Sequence, residues 1–249
     1  MKEYLGITGY TRKEEILHAN KVYSELGLPS ESLTGMYGFL THDIQAANPE
    51  MYLPKFPSLQ SLKGLLREVA PGMIPAIHLC SETNDLLVDA AERIFSFDNI
   101  YDLCKTIQIN IDWPDPRKID SLKLHFPEMY VVLQLNPVNA GRPEKKIKEY
   151  SGLVDKVLID PSLGTGSDIP VSMAVDMIQK LKASVPEMSY VVAGGFSGEN
   201  VYSKVTEIRK QTRILFSVDV EGKVRTENGW GLHPEYVEEY LLEGVRGLK

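Results

Sequence analysis

The sequence is poor in cysteine. Only Cys80 and Cys104 occur among 249 residues, and they form neither a Cys-x-x-Cys pair nor a metal-ligand spacing. Small secreted domains that depend on disulfides carry many more cysteines, and structural zinc sites need closely spaced ligand pairs. We therefore expect two buried, reduced thiols, as in a cytoplasmic protein.

Several other features are absent from the sequence. The 27 Lys and Arg residues form no dense basic run and the formal net charge is -7, which argues against nucleic acid as a partner. No apolar run approaches a bilayer-spanning length, and the N-terminus lacks the apolar segment of a signal peptide. The Gly-x-Gly-x-x-Gly, His-x-His and His-Glu-x-x-His patterns do not occur. We expect a cytoplasmic protein that acts without a membrane, a metal ion or a cofactor.

Apolar strand-like runs alternate with amphipathic helix-like segments along the whole chain. The predicted strands are residues 4–9, 33–40, 73–80, 106–112, 130–135, 157–160, 190–193 and 214–218. The first predicted helix is capped by Thr11, with Glu14 three residues later. The other predicted helices are residues 59–69, 85–95, 116–124, 142–150, 171–183, 199–210 and 234–245. Eight such repeats favour a closed parallel barrel over an open sheet. We predict an α/β fold, with residues 1–249 forming a single (β/α)8 TIM barrel domain.

One connection is unusually long. Residues 41–58, THDIQAANPEMYLPKFPS, separate the second strand from its helix. A loop of this length in a compact domain is usually a lid or a binding loop. His42 and Asp43 either reach over the barrel mouth from this loop or form a solvated pair.

The glycine loops after strands seven and eight predict an anion site. In a (β/α)8 barrel these two loops are the usual phosphate site, because free backbone amides and a helix N-terminus converge there. A third small-residue loop, after strand six, is a weak signal alone but can add amide donors. The predicted phosphate-binding residues are Gly164, Thr165, Gly166, Gly194, Gly195, Ser197, Glu221 and Gly222.

Polar residues at the ends of the other strands mark the predicted working face. Asp160 follows an apolar strand, and it serves either as an acid or base or as a carboxylate satisfied by the loop amides. His78 is an acid, a base, a ligand or a hydrogen-bonded lining residue. Gln108, Asn110 and Asp112 lie two residues apart and therefore share one face of strand four.

The motifs together resemble those of phosphoribosylanthranilate isomerase, the barrel enzyme of tryptophan biosynthesis. Residues 6–12 are similar to its first-strand KICG motif, and residues 107–110 to its VQLH strand. Residues 158–160 with 164–166 match its LLD and GTG, 193–195 with 199–201 its AGG and ENV, and 218–220 its VDV. The resemblance covers nearly the full chain and implies an isomerase that acts on a phosphorylated sugar derivative.

The chain departs from this family at the positions that carry the chemistry. The resemblance implies that Asp160 protonates the ribose ring oxygen, and that Asp219 contacts the substrate. Thr8 stands where the family has its cysteine base, and a threonine hydroxyl cannot act as that base unaided. Asn110 replaces the family histidine of strand four. The arginine with which the family binds its substrate after strand two is also missing, because no arginine occurs between Arg12 and Arg67.

Three hypotheses follow. The first is an isomerase or lyase that acts on a phosphorylated small molecule, with an altered substrate or reaction. The second is phosphoribosylanthranilate isomerase itself with another residue as its base. The third is a non-catalytic barrel that binds a phosphorylated metabolite or a protein, and its mouth would be filled by side chains or by the 41–58 connection.

Overall fold

The computed structural model describes residues 2–51, 53–81, 84–111, 113–162 and 167–249. Eight parallel strands pair in sequence order, and the first pairs with the last to close the barrel. The strands are β1 (Glu3–Thr8), β2 (Leu33–His42), β3 (Ile74–Cys80), β4 (Thr106–Asn110), β5 (Tyr130–Leu135), β6 (Lys156–Ile159), β7 (Ser189–Val192) and β8 (Ser217–Val220). The predicted (β/α)8 TIM barrel is confirmed.

Helices follow the strands around the outside of the barrel. They are α1 (Lys13–Glu25), α2 (Asp43–Ala47), α3 (Leu59–Glu68), α4 (Leu87–Ser96), α5 (Ile100–Leu103), α6 (Pro116–His125), α7 (Pro143–Lys146), α8 (Val171–Ser184), α9 (Val201–Thr212) and α10 (Pro234–Leu248). Short 3-10 turns cover Asn84–Leu86, Phe97–Asn99, Ile147–Tyr150 and Gly222–Val224. Among the residues described, no helix is both long and apolar enough to span a membrane.

Two apolar cores hold the barrel together. The larger core lies between the strands and the helices, and a smaller one fills the barrel with Tyr4, Met36, Val132, Leu158 and Val191. Since side chains alternate along a strand, the inward positions continue from this plug towards the carboxyl ends of the strands. The inward residues there are polar, and a cavity lies above them.

Several local predictions were wrong. Helix α1 begins at Lys13 with Arg12 as its cap, and Glu15 rather than Glu14 accepts the N–H groups of Thr11 and Arg12. The long connection contains the short helix α2. Helix α9 begins at Val201, two residues later than predicted. Strand β8 begins three residues later than predicted, at Ser217.

Candidate functional site

A cavity of about 530 Å³ opens at the carboxyl ends of the strands. Side chains from all eight strands or the loops after them line it, and the long connection contributes His42, Lys55 and Phe56 to one side. The ring of His42 packs edge-on against Phe56, with centroids 5.9 Å apart. The connection therefore forms a wall of the cavity without filling it.

Thr8 makes the central contact of the cavity floor. Its Oγ1 lies 2.9 Å from Asp219 Oδ2, 3.2 Å from Asp219 Oδ1 and 3.3 Å from His78 Nδ1. Alternation along the strands points all three side chains inward. Gly6 leaves room for this arrangement, because a Cβ at that position would lie 2.8 Å from Asp219 Oδ1. The structure thus joins β1, β3 and β8 through one hydroxyl group.

The Asp219 carboxyl group is nearly inaccessible to water. Burial raises the pKa of Asp219 to about 8, and the negative charges of Glu221 and Asp160 contribute in the same direction. The hydrogen bonds from Thr8 and from the Val220 N–H favour the ionised form without cancelling this shift. A carboxyl group in this condition can exchange a proton near neutral pH.

His78 is buried beside Thr8, with only 1% of its surface exposed. Burial lowers the pKa of His78 to about 3, so the imidazole is neutral at physiological pH. Its Nε2 atom has no hydrogen-bond partner among the described residues. This unused nitrogen atom is buried beside Gly38, in a side chain that lines the cavity.

Asp160 is held by donors from its own loop and the adjacent strand. Its Oδ1 accepts hydrogen bonds from the Ser162 N–H at 2.8 Å and the Ser162 hydroxyl at 2.6 Å. Its Oδ2 accepts from Gln134 Nε2 at 3.2 Å. This geometry matches the alternative in which loop groups satisfy the carboxylate, and it also fixes the carboxylate at the cavity wall.

A row of amides extends from Asp160 across the barrel. Gln108 Nε2 donates to Gln134 Oε1 at 3.1 Å and to Asn110 Oδ1 at 3.0 Å, and Asn110 Nδ2 contacts Cys80 Sγ at 3.6 Å. Gln108 Oε1 is buried without a partner among the described residues. These amides line the cavity with donors and acceptors suited to hydroxyl groups.

The loop after β7 brings two glycines to the cavity. Gly194 and Gly195 have φ values of 104° and 68°, which glycine adopts readily. Within the described part of the chain, their N–H groups donate no hydrogen bond. The Asp168 carboxylate packs beside Gly195 and pairs with Lys204 at 3.1 Å. Ser197 is not part of the cavity lining, and its N–H donates a hydrogen bond to Asn200 Oδ1.

The loop after β8 contributes charge of both signs. Glu221, Gly222 and Lys223 line the cavity. Glu221 Oε1 pairs with the Arg225 guanidinium at 2.9 Å, which neutralises one of the acidic groups near the mouth. Lys55 and Lys223 have no ion-pair partner among the described residues. They provide two positive charges at the rim.

Some site residues were missed by sequence reasoning, and others cannot be placed. Cys80 is partly exposed at the cavity wall rather than buried. Lys223, which no sequence motif marked, lines the cavity from the short 3-10 turn after β8. The predicted residues Asp112, Gly164, Thr165 and Gly166 lie outside the described residues.

Comparisons with known proteins identify the fold. No family model and no curated protein matches the sequence. Phosphoribosyl anthranilate isomerase from Thermus thermophilus is 16% identical over 98% of each chain, with a TM-score of 0.65. Another such isomerase, in complex with reduced 1-(o-carboxyphenylamino)-1-deoxyribulose 5-phosphate, is 14% identical over 98% of each chain, with a TM-score of 0.63.

A second enzyme has a comparable structure. The α subunit of tryptophan synthase from Legionella pneumophila is 10% identical over 99% of this chain and 92% of that chain, with a TM-score of 0.62. Identities this low establish the fold alone. The chain is a (β/α)8 barrel with the fold of phosphoribosyl anthranilate isomerase over nearly its whole length.

Proposed function

We propose that the cavity is the active site of an enzyme that transfers a proton on a phosphorylated small molecule, in an isomerisation or a related elimination. The observation that carries this proposal is the open cavity of about 530 Å³, whose lining combines carboxyl groups and an imidazole with glycines and lysines of the kind that bind an anion. Its volume is within the range of small-molecule sites. A mouth filled by side chains would instead have favoured a non-catalytic barrel.

The anion site is supported by groups on the two final loops. The N–H groups of Gly194 and Gly195 and the amine of Lys223 can bind the oxygen atoms of a phosphate, and Lys55 adds a second positive charge from the long connection. The side-chain amides of Gln108 and Gln134 are suited to hydrogen-bond the hydroxyl groups of a sugar. This sugar would lie between the bound phosphate and the carboxyl groups of Asp160 and Asp219.

Two carboxyl groups in different environments support acid–base chemistry. Asp160 accepts three hydrogen bonds, whereas burial raises the pKa of Asp219 to about 8. Enzymes that need both an acid and a base separate two such groups by environment. Asp160 and Asp219 are therefore the candidates for the two proton transfers.

The isomerisation of phosphoribosyl anthranilate itself is the second candidate. The similar isomerase that holds a ribulose 5-phosphate derivative favours it. In this chain the base would be a group other than Thr8, and the cation that faces the substrate from the long connection would be Lys55.

Ligand binding and turnover test the proposal separately. Thermal-shift assays with inorganic phosphate, ribose 5-phosphate and the reduced deoxyribulose 5-phosphate derivative should raise the unfolding midpoint, since each ligand binds the folded state. Lys223→Met should reduce this shift, and the exposed control Lys210→Met should not. No shift with any of these ligands would refute the anion site.

Turnover of phosphoribosyl anthranilate distinguishes the two candidate reactions. Activity that is lost in Asp219→Asn while phosphate binding is kept would support the second candidate. Binding of the sugar phosphates without turnover of this substrate would support an altered reaction.

A further inference from the structure

Thr8, His78 and Asp219 come from three strands and meet through one hydroxyl group. We propose that they form a proton relay, in which a proton taken up at His78 Nε2 is passed through the Thr8 hydroxyl to the Asp219 carboxylate. The relay would supply the base that Thr8 cannot be on its own. Its use in catalysis rests on the proposed function, but its existence does not.

The count of hydrogen atoms defines two states of the relay. Thr8 has one hydroxyl proton but lies within hydrogen-bond distance of both Asp219 and His78 Nδ1. When Asp219 is ionised, Thr8 donates to it and His78 Nδ1–H donates to Thr8, which leaves a lone pair on Nε2. When Asp219 is protonated, it donates to Thr8, Thr8 donates to Nδ1, and Nε2 carries the hydrogen.

The conversion between these states is a balanced proton transfer. A proton donor that reaches Nε2 from the cavity loses its proton, the electron pair of the broken bond stays on the donor, and the proton forms the N–H bond at Nε2. The Nδ1 proton moves to Thr8 Oγ1, and the Thr8 proton moves to an Asp219 oxygen. One proton enters and Asp219 is neutralised, so that no imidazolium ion is formed.

The surroundings of His78 fit this role. Its Nε2 atom is buried, has no partner among the described residues and belongs to a side chain of the cavity wall. Burial lowers the pKa of His78 to about 3, so an isolated imidazole here would be a poor base. In the relay the proton ends on Asp219, whose pKa is raised to about 8, and this carboxylate sets the basicity.

The groups that interact electrostatically with Asp219 include two carboxylates and four buried tyrosines. Asp160 and Glu221 raise the pKa of Asp219 through their negative charges. The buried tyrosines around Asp219 have pKa values raised well above the ordinary value by burial, and they stay neutral. They are Tyr4, Tyr10, Tyr23 and Tyr240.

Histidine tautomers reveal the relay without a substrate. In protein labelled with ¹⁵N-histidine, long-range ¹H–¹⁵N spectra separate the two imidazole nitrogens, and His78→Gln assigns the signal. We expect His78 to carry its proton on Nε2 at pH 6 and on Nδ1 at pH 10, with a midpoint near pH 8. A His78 tautomer that stays constant over this range would overturn the proposal.

Variants separate the relay from a structural role. Thr8→Ser keeps the hydroxyl and should keep the switch, whereas Thr8→Val and Asp219→Asn should each fix His78 in one tautomer. Glu221→Gln should lower the midpoint, because it removes a negative charge near Asp219. A switch that persists unchanged in folded Thr8→Val would refute the relay. If Thr8→Val does not fold, the wild-type, Thr8→Ser and Glu221→Gln spectra still decide.

Discussion

Gly38 lies directly against the Thr8 hydroxyl. A methyl group at residue 38 would overlap Thr8 Oγ1 and lie 2.9 Å from His78 Nε2. Both neighbours are buried and packed, so neither can swing into solvent. The missing side chain of Gly38 is what allows β1, β2 and β3 to bring the hydroxyl and the imidazole together.

Gly38→Ala should therefore destabilise the protein. Overpacking a buried site costs about 1–3 kcal/mol, and the inserted methyl group has no free volume here. Urea unfolding followed by circular dichroism measures the loss. Gly64→Ala is the matched control, because Gly64 is an exposed position of α3 with no atom near its added Cβ. It should stabilise the helix by up to about 1 kcal/mol. Equal effects of the two substitutions would contradict this interpretation.

Asp219→Asn should stabilise the protein increasingly between about pH 4 and pH 8. In the wild type the unfolded chain releases the Asp219 proton near pH 4, whereas the folded state keeps it until about pH 8. The wild type therefore loses up to about 1.4 kcal/mol of folding free energy per pH unit through this residue. The neutral amide avoids the penalty, and the difference between variant and wild type should level off above pH 8.

Denaturant titrations at pH 4, 6, 8 and 9 check this dependence. Asp176→Asn is the control, because Asp176 is exposed on α8 and pairs with Lys180. It should show a small change in stability without the same rise. A difference between Asp219→Asn and the wild type that falls as pH increases would show that the Asp219 pKa is not raised.

Cys80 should react slowly with alkylating reagents at neutral pH although it lines the cavity. Although Cys80 is partly exposed, desolvation of its thiol in the cavity wall raises the pKa of Cys80 to about 11, and only the thiolate is nucleophilic. At pH 7.5 we expect reaction with iodoacetamide on the order of a hundredfold slower than for free cysteine. The rate should increase steeply towards pH 10.

Mass spectrometry of the alkylated peptides separates the two thiols. Cys104 is the internal control, because it is fully buried between the carbonyl groups of Pro75 and Thr106. It should stay unmodified in the folded protein. A sugar phosphate that occupies the cavity should protect Cys80, whereas rapid alkylation at pH 7 would contradict the raised pKa.

Lys156 is fully buried at the other end of the barrel interior. Its Nζ donates to Ser217 Oγ at 3.2 Å and lies 5.5 Å from the centre of the Tyr4 ring. Burial lowers the pKa of Lys156 to about 8. Between pH 8 and about 10.4 the unfolded chain binds the proton that the folded state has released, so this residue makes stability rise with pH.

Lys156→Met should remove this rise. In denaturant titrations, we expect the free energy of unfolding of the variant, relative to that of the wild type, to be highest near pH 7. It should fall progressively towards pH 10. The exposed Lys210→Met provides the reference, since its difference from the wild type should not vary with pH. A wild-type stability that falls more steeply than that of Lys156→Met above pH 8 would oppose the assignment.

The periodicity of the sequence was sufficient to predict the barrel. Strand β5 was predicted to the residue, and the order of strands and helices is as expected, because burial of every strand on both faces requires long apolar runs. The position of β8 was wrong. Residues 214–216 are as apolar as a strand, yet Leu215 is 62% exposed, because pairing with β1 and β7 begins only at Ser217 and Val218.

The first helix cap shows the same limit. Thr11 and Glu14 have the spacing of a capping box, but Glu15 accepts the amides of Thr11 and Arg12. Glu15 also accepts the N–H of Leu232, more than 200 residues away along the chain. A local motif cannot reveal a partner that only the closure of the barrel supplies.

The sequence by itself determined the barrel and the polar residues at inward positions near the strand ends, since alternation along each strand and the order of repeats are local properties. Only the tertiary structure decided which of these residues touch. The Thr8 contact with Asp219 joins the first strand to the last, and His78 joins them from the third. Their pKa values depend on how completely the closed barrel excludes water, and that is a property of the packed molecule.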